Sequence, residues 1–130
     1  MFNRLFGGPS NESAHWTPLT HADEIQEVIH ASNEKPQVVF KHSPTCSISF
    51  FAIQSVQGII AELQESVDFS LLNVVTNRHV SKQIAQEVNV RHESPQILLL
   101  FKGAVVWYDS HDRANAANLK HALSKHIELN

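Results

Sequence analysis

The sequence predicts an α/β fold in which a mixed sheet of four or five strands carries helices on both faces. Two observations support this fold. Strands and helical segments alternate through the first half of the chain, which is typical of parallel strands joined by crossover helices. In the second half, two apolar runs are separated only by Lys102-Gly103, which predicts an antiparallel hairpin followed by one helix.

Apolar residues at three- to four-residue spacing indicate four helices. The first is predicted to begin at Thr20, an N-cap candidate with Asp23 three residues later, and to end before Asn33. The second would place Ile48 and Phe50-Phe51 against the core. The second, third and fourth predicted helices cover residues 47–64, 80–87 and 114–127.

Short runs of β-branched and aromatic residues, bounded by turn residues, indicate the strands. These runs cover residues 37–41, 69–75, 96–101 and 104–108. The resulting element order is α, β, α, β, α, β, β, α. Residues 1–14 are rich in Gly, Pro, Ser and Asn, which predicts a flexible N-terminal arm before a single domain over residues 15–130.

Composition narrows the classes of function. A formal net charge of −3 offers no basic surface for a phosphate backbone, so we expect no nucleic-acid partner. No signal peptide and no apolar run of membrane-spanning length is present in the sequence, which predicts a cytoplasmic protein without a membrane partner. One cysteine among 130 residues excludes an internal disulfide.

That cysteine, Cys46, lies between a predicted buried strand and the predicted helix 47–64. The unpaired N–H groups and the positive dipole end of a helix N-terminus favour thiolate over thiol. Three residues later, where a dithiol oxidoreductase has its second cysteine, the chain has Ser49. The sequence therefore predicts a one-thiol redox centre, although a free cysteine can also be a small buried hydrophobe.

Three local features coincide with this element order: Cys46-Ser47-Ile48-Ser49 opening a helix, Ser94-Pro95 before the third strand, and Phe101-Lys102-Gly103 between the last two strands. Together they resemble the thioredoxin superfamily, in which a cis-proline lies opposite the active-site cysteine. The segments 39–49 and 88–96 more closely resemble the monothiol bacilliredoxins, across roughly residues 16–127. Members of that family often have proline directly after the cysteine, where this chain has Ser47.

The resemblance implies exchange of bacillithiol mixed disulfides on client proteins through a single nucleophilic cysteine, here Cys46. Bacillithiol would be a co-substrate, no cofactor would be bound, and the partners would be bacillithiolated proteins and a low-molecular-weight thiol. The residues expected to stabilise the thiolate or bind substrate are Thr45, Ser47, Ile48, Ser49, Ser94 and Pro95. Pro95 would be cis, with its ring and the Ser94 carbonyl beside Cys46.

Two other functions stay open. A monothiol-glutaredoxin-like protein would ligate an iron–sulfur cluster between two subunits through Cys46, and an unreactive Cys46 would leave a redox-inactive adaptor. His42 and His92 lie near the predicted site loops, but with one thiolate they would give at best an open metal site. We therefore expect no metal centre. No nucleophile-elbow glycine pattern or glycine-rich phosphate loop is present in the sequence.

Overall fold

The computed structural model describes residues 15–127, and the predicted flexible arm at residues 1–14 lies outside that range. The described residues form one five-stranded mixed sheet in the order β1-β3-β2-β4-β5. The strands are β1 Thr17–Pro18, β2 Gln37–His42, β3 Asp68–Asn73, β4 Gln96–Phe101 and β5 Ala104–Ser110. The helices are α1 Glu24–Ala31, α2 Ser47–Leu63, α3 Arg78–Val88 and α4 Ala116–His126. The predicted α/β fold is confirmed.

Strand β1 is the one strand that the sequence did not indicate. It has two residues, one of them Pro18, and pairs in parallel with Ser70 and Leu71 of β3. Such a short run carries no alternation to detect, and proline is confined to sheet edges because it lacks an N–H donor. The pairing places the neighbouring Trp16 in the core, where its ring meets Phe40 and Phe69 edge-on.

The predicted start of the first helix at Thr20 is wrong, because α1 begins at Glu24 with Asp23 as its N-cap. The Glu24 carboxylate accepts hydrogen bonds from the backbone N–H groups of Thr20 and His21, at 2.8 and 2.9 Å. A glutamate at the start of the helix thus holds the preceding turn. The last helix also starts later than predicted, since a 3-10 turn at His111–Arg113 precedes it and Asn115 caps it.

Two buried apolar layers lie on the two faces of the sheet. Successive residues of β2 alternate between them, because side chains of a strand point to opposite faces. Val38 and Phe40 belong to the layer beneath α2 and α4, whereas Val39 belongs to the layer beneath α1 and α3. Helices on both faces therefore account for a central strand that is apolar almost throughout.

The loops that carry the predicted site all lie at one end of the strands of the sheet. β2 and β3 are parallel and β4 is antiparallel to β2, so the ends of β2 and β3 lie at the same edge as the start of β4. The end of β5 reaches this edge as well. We call this end of the strands the loop edge; it is not the same as the outer strands β1 and β5. At the other end, β4 turns into β5 at Lys102-Gly103, where both residues have positive φ, at 56° and 86°.

Among residues 15–127, no helix is long and apolar enough to cross a membrane.

Candidate functional site

Cys46 is the N-cap residue of α2, at the loop edge directly after β2. Its backbone is extended, with φ −107° and ψ 126°, and its carbonyl accepts the first helical hydrogen bond from Phe50 N–H at 3.0 Å. Its own N–H donates to Ser43 O at 3.1 Å, which closes a tight turn between strand and helix. The thiol is free and partly exposed. The structure thus places Cys46 at the N-terminus of a 17-residue helix, where its side chain makes no capping hydrogen bond.

Ser49, at the position of a resolving cysteine, is fully buried. Its hydroxyl accepts a hydrogen bond from the Ser43 N–H at 2.9 Å and forms a second hydrogen bond with His42 Nδ1 at 2.7 Å. Burial lowers the pKa of His42 below its ordinary 6.5, so the imidazole is neutral at pH 7. Ser49 therefore ties the first turn of α2 to the end of β2 and fixes the loop that carries Cys46.

The remaining residues predicted around Cys46 lie on the surface. Thr45 and Ser47 are exposed, and Ile48 is 48% exposed. The prediction that Phe50 and Phe51 belong to the core is wrong, because they are 50% and 68% exposed and pack edge-on against each other at 5.3 Å. At the start of α2 the buried position is taken by the polar Ser49, while the apolar Ile48, Phe50 and Phe51 are exposed, so hydrophobic spacing did not identify the buried face.

The Ser94–Pro95 peptide bond is cis, as the resemblance implied. Pro95 is buried, and its carbonyl accepts a hydrogen bond from His111 N–H at 2.8 Å. The next residue, Gln96, pairs directly with Lys41 of β2. The proline loop therefore lies at the same sheet edge as the loop that leads to Cys46.

Three buried polar atoms have no hydrogen-bond partner among the described residues: Lys41 Nζ, Gln96 Oε1 and Ser94 Oγ. Because side chains alternate along β2, Lys41 lies on the α3 side of the sheet, as does Gln96 opposite it. Lys41 and Gln96 are cross-strand neighbours and are both completely buried. Desolvation by burial lowers the pKa of Lys41 from 10.5 to about 8. An ammonium in this position keeps most of its charge at pH 7 without a carboxylate to pair with.

His92 connects the proline loop to α3. Its Nδ1 lies 2.7 Å from the Ser81 hydroxyl, and its ring stays partly exposed. Burial lowers the pKa of His92, and the positive charges of Lys41, Lys82 and Arg78 lower it further. His42 and His92 thus have different partners, a serine of α2 and a serine of α3. Among residues 15–127, no group of three or more His, Cys, Asp or Glu side chains could hold a metal ion.

The arrangement can present one sulfur nucleophile to an incoming disulfide. The exposed side chains beside it are small hydroxyls and apolar groups, and the second-cysteine position is an occupied hydrogen-bonding site. The sequence indicated Cys46, Ser49 and Pro95 through their spacing. It did not reveal that Ser49 bonds to His42 or that Lys41 is buried without a partner, since both depend on how the helices pack across the sheet.

Comparison with known proteins gives this site a context. Residues 17–119 match the family model described as monothiol bacilliredoxin BrxC. A solved structure described as a candidate oxidoreductase with a thioredoxin fold is 32% identical, with a TM-score of 0.76, covering 87% of this chain and 97% of that one. The thioredoxin of Fasciola hepatica is 21% identical, with a TM-score of 0.67, covering 84% of this chain and 97% of that one.

The thioredoxin of Malassezia sympodialis is 20% identical, with a TM-score of 0.66, covering 84% of this chain and 88% of that one. At this identity the two thioredoxins support the fold, and the family model supports the thiol chemistry.

Proposed function

The chain belongs to the monothiol bacilliredoxin family, which gives it a thiol redox role, and we propose that it removes bacillithiol from mixed disulfides on client proteins. The observation that carries this proposal is the pairing of one partly exposed cysteine at a helix N-terminus with a buried serine at the resolving position. Such a centre can accept a thiol adduct but cannot close an internal disulfide.

The proposed reaction is a pair of thiol–disulfide exchanges. The Cys46 thiolate attacks the bacillithiol sulfur of the client's mixed disulfide. A Cys46–bacillithiol bond forms, and the client cysteine leaves as a thiolate that takes a proton from water. A second bacillithiol thiolate then attacks the adduct, which releases bacillithiol disulfide and restores Cys46. As a net reaction, one free bacillithiol is oxidised to bacillithiol disulfide while the client cysteine is reduced.

The α2 N-terminus supports the first step. Cys46 is the N-cap residue of this helix, and the positive end of a helix dipole is a favourable place for negative charge. The Ser49 bonds to His42 and Ser43 hold the loop in one conformation, so the sulfur meets the disulfide from a fixed position. Clients and bacillithiol are thus the proposed partners, and the cytoplasm is the expected compartment because free thiols persist there.

The test is mass analysis of the protein after mixing it with a bacillithiolated peptide. We expect one adduct of bacillithiol mass on Cys46 together with release of the reduced peptide, and regeneration on adding bacillithiol. Cys46→Ser should give neither. A matched control, Cys46→Ser with Ser124→Cys, moves the only thiol to an exposed position on α4. If the relocated thiol reacts as fast as Cys46, or the native chain takes no adduct, the proposal fails.

A further inference from the structure

The first turns of α3 carry positive side chains that have no partner. Arg78 and Lys82 are exposed and stand four residues apart, which places them on one side of the helix. Within residues 15–127, neither side chain forms a salt bridge or a hydrogen bond. The whole chain has a net charge of −3, so the surface around Arg78 and Lys82 is positive even though the protein as a whole is negative.

Two other groups lie beside these cations, a histidine ring and a buried lysine. The Ser81–His92 hydrogen bond at 2.7 Å holds the imidazole of His92 against the same stretch of α3. Lys41, beneath the loop edge, is completely buried with Nζ unpartnered. Ser81 lies between Arg78 and Lys82 on α3, three residues after one and next to the other, so the His92 ring bonded to it lies beside this stretch of cations.

Few negative charges oppose this region. The pKa of Glu93, the carboxylate next to His92 in the chain, is lowered first by the Ser110 side chain and then by the charges of His111, Arg91 and Arg113. Asp109 is paired with Arg113 at 2.8 Å. The acidic side chains of the loop edge are therefore engaged toward β5, and the cations on the α3 side are left available for an external anion.

The loops that lead to Cys46 and to Arg78 start side by side, at the ends of β2 and β3. His42 and Asn73, the last residues of β2 and β3, pair directly, and Val74 N–H donates to His42 O at 2.9 Å. From this shared point, one loop runs four residues to Cys46 and the other runs five residues to Arg78. The Asn73 side chain holds the second loop back by accepting from the N–H groups of Val75 and Thr76.

We propose that Arg78, Lys82 and His92, with Lys41 buried behind them, form a carboxylate-binding subsite for the malyl end of bacillithiol. Bacillithiol carries two carboxylates on its malyl group, at the end of the molecule remote from its sulfur. With the sulfur at Cys46, the guanidinium and ammonium groups pair with the carboxylates and the ring N–H of His92 donates to them. The subsite rests on the proposed function and supplies the selection of bacillithiol over uncharged thiols.

The unpartnered Lys41 ammonium fits this assignment. A buried cation without a counter-ion is costly in the free protein, and a dianion bound nearby lowers that cost. Binding energy from the remote end of the ligand is thereby used to hold the disulfide at Cys46.

The experiment measures the rate of adduct formation at Cys46 with three symmetrical disulfides: oxidised bacillithiol, neutral bis(2-hydroxyethyl) disulfide and cationic cystamine. The variant Arg78→Gln with Lys82→Gln should react about tenfold more slowly with oxidised bacillithiol, since each exposed ion pair contributes up to about a factor of five. Its rate with the neutral disulfide should be unchanged, and its rate with cystamine should not fall.

The matched control is Lys102→Gln with Lys125→Gln, which removes the same charge from two exposed positions outside the α3 region, the β4–β5 turn and the last turn of α4. This control should retain the native rates with all three disulfides. Equal slowing in both double variants would show a general effect of net charge and overturn the subsite. An unchanged rate with oxidised bacillithiol in the α3 variant would overturn it as well, while leaving the proposed function intact.

A binding measurement separates the two proposals. S-methyl bacillithiol cannot exchange, so it can be titrated into Cys46→Ser while the His92 ring signals are followed by NMR. We expect saturable shifts that disappear in the background of Arg78→Gln and Lys82→Gln. Shifts without any adduct on native Cys46 would refute the proposed exchange but keep the subsite. Adduct formation without shifts would refute the subsite and keep the exchange.

Discussion

The last two residues of β2 show how differently the two faces of one strand are built. On the α2 side, His42 meets Ser49, and the hydroxyl of Ser49 also accepts the N–H of Ser43, so each of these polar groups has a partner. On the α3 side, Lys41 Nζ and the Oε1 of its neighbour Gln96 are buried without one. On the side that carries the thiol, these polar groups are hydrogen-bonded in the free protein. On the opposite side, Lys41 Nζ and Gln96 Oε1 have no hydrogen-bond partner among the described residues.

Polar groups that are buried with a hydrogen-bond partner and charges that are buried without one have opposite effects on stability. Hydrogen-bonded groups add stability and rigidity, whereas a buried unpaired charge removes stability and persists where another requirement opposes its replacement. The α2 side therefore holds the Cys46 loop in place. The α3 side keeps an electrostatic cost in the free protein, which the proposed anion subsite would relieve. Removing the Ser49 hydroxyl on the α2 side should then lower stability, whereas removing the Lys41 charge on the α3 side should raise it.

Lys41→Met should give the largest change, and it should be stabilising. Burial lowers the pKa of Lys41 from 10.5 to about 8, a difference that corresponds to about 3 kcal/mol at pH values below 8. Methionine fills a similar volume without the charge, so the free energy of unfolding at pH 7 should rise by up to about 3 kcal/mol. Urea denaturation measures it, with Lys102→Met as an exposed control that should change little.

The pH dependence gives the sign of this effect. Since the folded pKa is the lower one, the unfolded chain binds more protons between pH 8 and 10.5, and the stability of the native protein should increase with pH across that window. Lys41→Met should remove this increase. A variant that is less stable than the native protein at pH 7, or one that keeps the increase, would mean that Lys41 has a partner in solution and that the two faces are alike.

Ser49→Ala should give the next largest change, and it should be destabilising. The substitution leaves the Ser43 N–H and His42 Nδ1 without their partner in a part-buried position, which costs about 2 kcal/mol. Thermal or urea unfolding provides the measurement. Ser47→Ala, two residues away and exposed, is the matched control and should stay within about 0.5 kcal/mol of the native protein. Equal effects of the two would remove the special role of the buried hydroxyl.

The sequence predicted much of this architecture because the pattern is local. Alternating strands and helices, the two-residue turn at Lys102-Gly103 and the cysteine at a strand-to-helix junction are all visible within short windows. Strand β1 was not visible, since two residues carry no period and the pairing with β3 supplies its definition. Phe51 was misplaced because the buried face of α2 begins with the polar Ser49, so the apolar pattern points away from that face in the first turn.

The two faces of β2 were beyond prediction for a related reason. Alternation along the strand implied that Lys41 and His42 point apart. It did not identify their neighbours, because Ser49 comes from α2 and Ser81 comes from α3, and their approach depends on helix packing across the whole sheet. Residues distant in sequence therefore decide which buried polar group has a hydrogen-bond partner and which one is buried without a partner and lowers stability.

Of the three substitutions, Ser81→Ala should change the free energy of unfolding least. It compares the serine–histidine hydrogen bond on the α3 side with the one on the α2 side. Ser81 is buried, but the His92 ring that it meets is partly exposed, so water can replace the lost hydrogen bond on the imidazole. We expect a loss of about 1 kcal/mol in the free energy of unfolding, half that of Ser49→Ala. Amide hydrogen exchange should accelerate at Arg91 to Glu93, because His92 would no longer be held to α3.

Ser124→Ala is the control for this substitution, since its hydroxyl bonds only to a carbonyl of its own helix, His121 O at 2.9 Å. It should alter neither stability nor exchange in the proline loop. A Ser81→Ala variant as destabilised as Ser49→Ala would show that the α3 side is held as firmly as the α2 side. The unpartnered atoms of Lys41 and Gln96 would then belong to a rigid structural element, and the contrast between the two faces would rest on Lys41 alone.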